Sequence, residues 1–239
     1  NTYSSYDDLP IETDFMLSLG GDGTMLSAVS LIQDSGIPIA GINFGRLGFL
    51  ATIDKTNFED SIDQIIAKNY KIQKRALLAV ESPNAELFGG NNNYALNDIT
   101  VFRYDSSAMI TVNAYLNGEL LNSYWADGLI IATPTGSTAY SLSCGGPIIM
   151  PGSGNFVITP ISPHNLNVRP VVISSDFELE LEIESRSEKY ILSCDSKNQT
   201  MDSHVKIKIT KAPFFINLIR LQGQSYFETL REKLLWGLD

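Results

Sequence analysis

Asp14-Phe15-Met16-Leu17-Ser18-Leu19 runs without a break into Gly20-Gly21-Asp22-Gly23-Thr24, and this stretch decides the fold. The first half is a short apolar run of the kind a strand buried on both faces requires. The glycines end it abruptly. From Met25 onward, Leu26, Val29 and Ile32 recur at helical spacing, with Gly36 as the stop signal. Ile37–Asn43 then reads as a second buried strand, of the parallel type. Strand, glycine turn, helix and strand together make the βαβ rhythm of an α/β domain. A further helix is predicted over Phe58–Lys68, with Phe58, Ile62, Ile65 and Ile66 on one face.

After about Tyr70 the texture changes. Strand-like stretches dominate, among them Arg75–Glu81, Tyr94–Phe102, Ala108–Leu116, Val205–Thr210 and Phe214–Leu221. Asn117-Gly118, between two alternating runs, is a type I′ hairpin signal. Tyr226–Leu235 returns to helical spacing, and its apolar face is expected to dock back on the first domain. The predicted class is therefore α/β plus all-β. A partial Rossmann-like α/β domain covers residues 1–70 together with the helix in 224–239, and a β-sandwich-like domain covers 71–223. Only two or three strands precede the β-rich region, fewer than a nucleotide-binding α/β domain normally has. Its first βα unit is accordingly expected to lie outside the stretch that starts at Asn1.

Composition narrows the function. The formal charge of −10 argues against nucleic acid as a partner, because a binder would carry a clustered basic face. No apolar run is long enough to span a bilayer. No export signal opens the chain, so the expected compartment is the cytoplasm. Cys144 and Cys194 read as unlinked thiols of a reducing compartment. His164 and His204 lack the paired spacing of a zinc site, and His164, among Pro163, Leu166 and Val168, reads as a core histidine. With so negative a chain, anionic substrates have to be held by backbone N–H groups, helix N-termini, a few local cations and Mg²⁺.

Two segments supply such groups. In Gly20-Gly21-Asp22-Gly23-Thr24, three glycines around one carboxylate let the backbone pass close to a polyphosphate, with the N–H groups of the helix start facing it. There is no Walker lysine, so this is not a P-loop. A carboxylate beside phosphates is repelled unless it binds a metal ion or accepts a proton, and phosphoryl transfer uses both. The second segment, Asp127–Tyr140 (DGLIIATPTGSTAY), is a buried strand followed by small hydroxyl residues and glycine, which offer many donors with little bulk. Arg46, in the glycine-rich turn after the second strand, is a candidate phosphate ligand.

Together with Gly41–Leu50, Leu96-Asn97-Asp98, Gly145-Gly146-Pro147 and Thr159–Pro170, these segments resemble the NAD kinase family over nearly the whole chain. Diacylglycerol kinases and 6-phosphofructokinases have related glycine turns, but TPTGSTAY separates the chain from both. The resemblance implies transfer of the ATP γ-phosphoryl group to the 2′-hydroxyl of NAD's adenosine ribose, with Mg²⁺ or another divalent cation, in a homotetramer. The alternatives are another lipid or sugar kinase with the same turn, and a non-catalytic NAD(P) sensor. By resemblance, Asp22 is the catalytic residue, and Gly20, Gly21, Gly23 and Thr24 shape the ATP-phosphate turn. Phe49 and Leu50 form an apolar wall beside NAD, and Asn97 and Asp98 hold its ribose. Asp127 lies on the nicotinamide side, and Thr138, Ala139, Tyr140 and Ser143 line the dinucleotide site. Asp195 joins this NAD-binding set, although Cys194-Asp195-Ser196 stands where Phe-Asp-Gly is common. Asp98 replaces the usual glutamate, and Trp125-Ala126 stands where Arg-Gly is frequent. No metal ligand set follows from the resemblance.

Overall fold

The computed structural model describes residues 5–10, 12–45, 48–90, 93–106 and 108–236. The chain divides into two compact units, residues 1–75 with 215–239, and residues 76–214.

The first unit is the α/β part. Strand β1 (Met16–Leu19), helix α1 (Asp22–Ile32) and strand β2 (Ile39–Asn43) form a βαβ unit. β1 and β2 run parallel from Met16↔Ile39 to Leu19↔Ile42. All five residues of β2 are buried. Gly41 is required there because a Cβ would lie 2.7 Å from the Ala51 Cα, so the next segment packs directly on the backbone. β3 (Ile53–Asp54) pairs parallel with β2 and leads to α2 (Phe58–Ile66). This helix stops short of Lys68 because Lys68 turns left-handed (φ 57°) and the Asn69 N–H closes onto Gln64 O at 2.8 Å. β4 (Tyr70–Glu81) begins five residues before the strand read from the pattern, and the unit boundary falls inside it, after Arg75.

The second unit is all β apart from short helical turns. Its strands are β5 (Tyr94–Ala95), β6 (Asp98–Arg103), β7 (Ile110–Leu116), β8 (Glu119–Ala126) and β9 (Gly128–Ala132), then, after helix α3 (Tyr140–Ser143), β10 (Asn155–Ile161), β11 (Val171–Ser174), β12 (Leu179–Glu184), β13 (Lys189–Cys194) and β14 (Lys197–Asp202). One sheet has the order β11-β10-β9-β6-β13-β14. The other carries β15 (Ile207–Leu221) beside β12, β7 and β8. Alternating burial in β7 and β13 turns one face of each sheet into a shared core that includes Val101, Val112, Leu129, Leu181, Leu192 and Ile207. β9 is buried on both faces: Leu129 and Ile131 enter that core, while Ile130 and Ala132 pack with Ile149, Val157 and Ile161. The β7–β8 hairpin turns at Asn117 (φ 49°) and Gly118 (φ 81°), the left-handed pair that a type I′ turn needs.

β15 is one continuous strand where the pattern shows two, since Pro213 interrupts the alternation without ending the strand. Its second half belongs to the first unit and pairs parallel with β2 at Leu218↔Ile39. Ile219 and Leu221 join Ala40, Ile42, Ile53 and Ile65 in that unit's core. Helix α4 (Tyr226–Leu234) follows, with the Ser225 hydroxyl accepting from the Glu228 N–H at its start and Leu230 buried.

Candidate active site

In the first unit the glycine turn sits where β1 ends and α1 begins. Gly21 is the N-cap, so no side chain caps the helix and its first-turn N–H groups are left for a ligand. A Cβ on Gly21 or Gly23 would meet nothing within 4 Å, which leaves open space beside the helix start. Gly20 is needed for another reason: a Cβ there would overlap the Thr24 hydroxyl.

Asp22 reaches back across the turn. Its Oδ2 accepts from the Phe49 N–H at 2.9 Å, and its Oδ1 accepts from the Leu50 and Ala51 N–H groups, each at 3.0 Å. Gly48 makes this possible, because a Cβ at that position would overlap the carboxylate. A carboxylate has about four acceptor positions, so roughly one remains, on Oδ2. The structure thus brings Asp22, Phe49 and Leu50 together. Leu50 presents only its backbone to Asp22, since its side chain is buried, whereas the Phe49 ring is half-exposed. Arg46 lies outside the described residues.

In the second unit the loop after β9 folds around Thr133, a residue that the sequence pattern did not single out. Thr133 Oγ1 donates to Leu96 O (2.5 Å) and accepts from the N–H groups of Thr135 and Gly136. Its own N–H donates to Asn97 O at 2.9 Å. Gly136 packs on the same peptide, and a Cβ on it would overlap the Asn97 carbonyl. The loop is therefore pinned to the Asn97-Asp98 segment at the start of β6.

That segment is held from its other side by Asp195, in the left-handed corner between β13 and β14 (φ 51°). Asp195 Oδ2 accepts from Leu96 N–H (2.8 Å), and Oδ1 accepts from Asn97 (2.8 Å) and Asp98 (3.1 Å). Burial raises the Asp195 pKa, and these three N–H groups hold it down. Asp98 itself is 8% exposed and accepts from Thr100 Oγ1 at 3.0 Å. Burial first, then the neighbouring Asp195 charge, pushes it from the usual 3.8 up to about 6. Tyr140 stands 44% exposed at the start of α3. Burial, then Cys144, Asp127 and Asp98, raise its phenol pKa. Asp127 is also paired with Arg103 at 3.0 Å. Thr138 spends its hydroxyl on Thr135 O, while Ser143 lies exposed at the end of α3. Among the described residues no group of three or more His, Cys, Asp or Glu side chains could hold a metal ion. No helix among them is long and apolar enough to cross a membrane.

Residues 7–70 match the sequence pattern of the ATP-NAD kinase N-terminal domain, and residues 96–221 match that of the ATP-NAD kinase C-terminal domain. The chain belongs to the NAD kinase family. It is 49% identical over 238 residues to the NAD kinase of Cytophaga hutchinsonii, covering all of this chain and 80% of that one. It is 50% identical over 242 residues to the NAD kinase of Flavobacterium psychrophilum, covering 82% of its length. Two solved structures share the fold. Yeast NADH kinase in complex with NADH superposes with a TM-score of 0.85 at 28% identity, over 97% of this chain and 70% of that one. The Archaeoglobus fulgidus NAD kinase in complex with ATP gives 0.82 at 29% identity, over 97% and 86%.

The positions where the sequence departs from the family's usual residues have structural accounts in part. The Trp125 ring is exposed and stacks at 4.1 Å on His164. His164 is thus a surface residue, not the core histidine its apolar neighbours predict. Ser196 follows the tight corner set by Asp195 and is itself exposed. Cys144 and Cys194 form no disulfide. Arg220 was missed altogether, although a charged residue among buried apolar neighbours late in β15 is itself a signal. It donates to Gln73 Oε1, Thr52 Oγ1 and Phe49 O, bracing the loop that holds Asp22.

Proposed function

We propose that this member of the NAD kinase family moves the γ-phosphoryl group of ATP to the 2′-hydroxyl of NAD's adenosine ribose, giving NADP and ADP. The carrying observation is Asp22, the carboxylate in an open glycine turn, fixed by three N–H groups with an acceptor position left on Oδ2. Oδ2 takes the hydroxyl proton as the oxygen attacks the γ-phosphorus, and ADP leaves in line. Catalysis is then mostly positioning and electrostatics. The triphosphate lies along Gly20–Thr24 and the start of α1, with Arg46 as a further phosphate contact. A divalent cation such as Mg²⁺ fits a site with a single carboxylate, because it is commonly bound by one or two carboxylates with substrate phosphates and water. Asp22, whose one open position on Oδ2 serves the hydroxyl, would hold that ion through a bound water, and the ion would neutralise triphosphate charge. Incubating the protein with ATP, Mg²⁺ and NAD and assaying for NADP tests the reading; no NADP formation sinks it.

NAD is assigned to Phe49 and Leu50 in the α/β domain, and to Asn97, Asp98, Asp127, Thr138, Ala139, Tyr140 and Ser143 in the β-rich domain. Asp195 serves the same site through the backbone of Asn97 and Asp98. We place the enzyme in the cytoplasm as a homotetramer. β8 is the last strand of its sheet and exposes Leu120 and Trp125, an edge that self-association would cover. Light scattering should give a particle well above 26.3 kDa, and a monomer at micromolar concentration refutes the assembly.

Asp98 should show in pH profiles. If its carboxylate accepts from a ribose hydroxyl, KM for NAD should rise as pH falls through about 6. Its effect on stability has the opposite sign. A carboxyl whose pKa is raised in the folded state favours folding below its unfolded value of 3.8, and that contribution is lost as pH rises to about 6. About two units correspond to roughly 3 kcal/mol at most. Asp98→Asn should therefore raise KM for NAD about tenfold, yet melt no lower than wild type at pH 8. An unchanged KM would remove Asp98 from the ribose contact.

Tyr140→Ala should weaken NAD about ten- to a hundredfold, the worth of one base–aromatic stack, and leave ATP nearly untouched. Equal losses for both ligands would make Tyr140 a folding residue.

A further inference from the structure

A cavity of about 300 Å³ in the first unit has Phe49 in its lining, the residue whose N–H donates to Asp22. Arg220 forms part of its wall. The guanidinium donates from Nε to Gln73 Oε1 (3.1 Å), from Nη1 to Thr52 Oγ1 (2.6 Å) and from Nη2 to Phe49 O (2.9 Å). All three acceptors are neutral, and no carboxylate among the described residues pairs with it. A guanidinium has five N–H groups, so two are left over. Arg75, 3% exposed, donates to the same Gln73 oxygen at 2.9 Å. Two guanidiniums therefore share one amide oxygen out of water. Burial first, and then the Arg220 charge, lowers Arg75 to about 9, while burial lowers Arg220 to about 10 against the raising pull of the Asp22 carboxylate.

Two further donors face the space. Tyr226 lines the cavity, and its hydroxyl is buried without a hydrogen-bond partner among the described residues. Lys71 lines the cavity from the solvent side. A buried donor left unmade is costly, and a desolvated guanidinium such as that of Arg220, with a carboxylate (Asp22) acting on it only through space, is costly too. In a chain of net charge −10, a pocket whose ionisable lining is Lys71, Arg220 and Tyr226 is complementary to one class of occupant.

We propose that this cavity binds a small oxyanion, phosphate or carboxylate in kind, between Arg220, the Tyr226 hydroxyl and Lys71, separately from the phosphate turn. The hydroxyls of Ser225 and Thr229, also in its lining, supply the remaining polar contacts. The site does not depend on the kinase reading. It is nonetheless wired to Asp22, because the Phe49 peptide accepts from Arg220 at its carbonyl and donates to Asp22 at the same residue's N–H. An anion that draws on Arg220 acts on the loop that orients the catalytic carboxylate.

The test is calorimetric titration of the intact protein with inorganic phosphate, pyrophosphate and malonate, first alone and then with saturating ATP. At least one anion should bind, and binding should persist with ATP present. Lys71→Met and Tyr226→Phe, which keep the packing, should each weaken it about tenfold without lowering the melting temperature. Tighter binding of either phosphate species assigns a phosphate ligand, and tighter binding of malonate a carboxylate. Three results overturn the proposal: no binding of any of the three at millimolar concentration, displacement by ATP, or unchanged affinity in both variants.

Discussion

Asp22→Asn is expected to lower kcat a hundredfold or more, the scale of losing a general base, with a smaller change in KM for either substrate. The structure adds a second consequence. Asp22 accepts three N–H bonds from Phe49, Leu50 and Ala51. An asparagine has one carbonyl oxygen, and its amide would point N–H at N–H on the other side. The variant should therefore also lose about 1–3 kcal/mol of stability, the cost of leaving a donor unmatched. The two effects are separable. Asp22→Glu keeps the charge but has to find room against Gly48, so it should lose stability and turnover together. Chemical denaturation alongside single-turnover phosphoryl transfer distinguishes them. Wild-type turnover in Asp22→Asn would take Asp22 out of the mechanism.

Asp195→Ala should be the most destabilising single substitution at the half-site proposed for NAD. It strands the N–H groups of Leu96, Asn97 and Asp98, and with about 1–3 kcal/mol for each donor left unmade the loss should reach roughly 3 kcal/mol or more. Asp195→Asn keeps one acceptor oxygen and should cost less. Both should raise KM for NAD, because the peptide they release carries Asn97 and Asp98, while KM for ATP stays near wild type. Urea denaturation and separate KM measurements check this. An Asp195→Asn protein with wild-type stability and wild-type KM for NAD would show that the clamp is idle.

What the sequence discloses and what it hides follow from how local each signal is. The glycine turn and TPTGSTAY are legible because their chemistry is written in consecutive residues: small side chains, hydroxyls and one carboxylate. The βαβ rhythm and the Asn117-Gly118 hairpin are local in the same way. The continuous β15 is less so, because Pro213 imitates a break. The bracing of Asp22 by residues 49–51, of the Phe49 loop by Arg220, and of Asn97-Asp98 by Asp195 joins residues that are distant along the chain. No spacing rule connects them. Asp195 is the clearest case: its neighbours Cys194 and Ser196 say little, and its purpose is visible only in the three N–H groups it meets.

The same clamp sets an order of events during synthesis. A nascent chain that has reached Tyr140 already holds Asn97, Asp98 and the whole hydroxyl-rich loop, but the carboxylate that fixes the peptide of the first two is still to be translated. The proposed NAD half-site therefore cannot mature before that carboxylate is made, and the α/β unit, which includes residues 215–239, is completed later still. The half-site waits for β13 to emerge and pair with β6, so substrate can protect a finished enzyme from degradation but not one stalled on the ribosome short of Asp195.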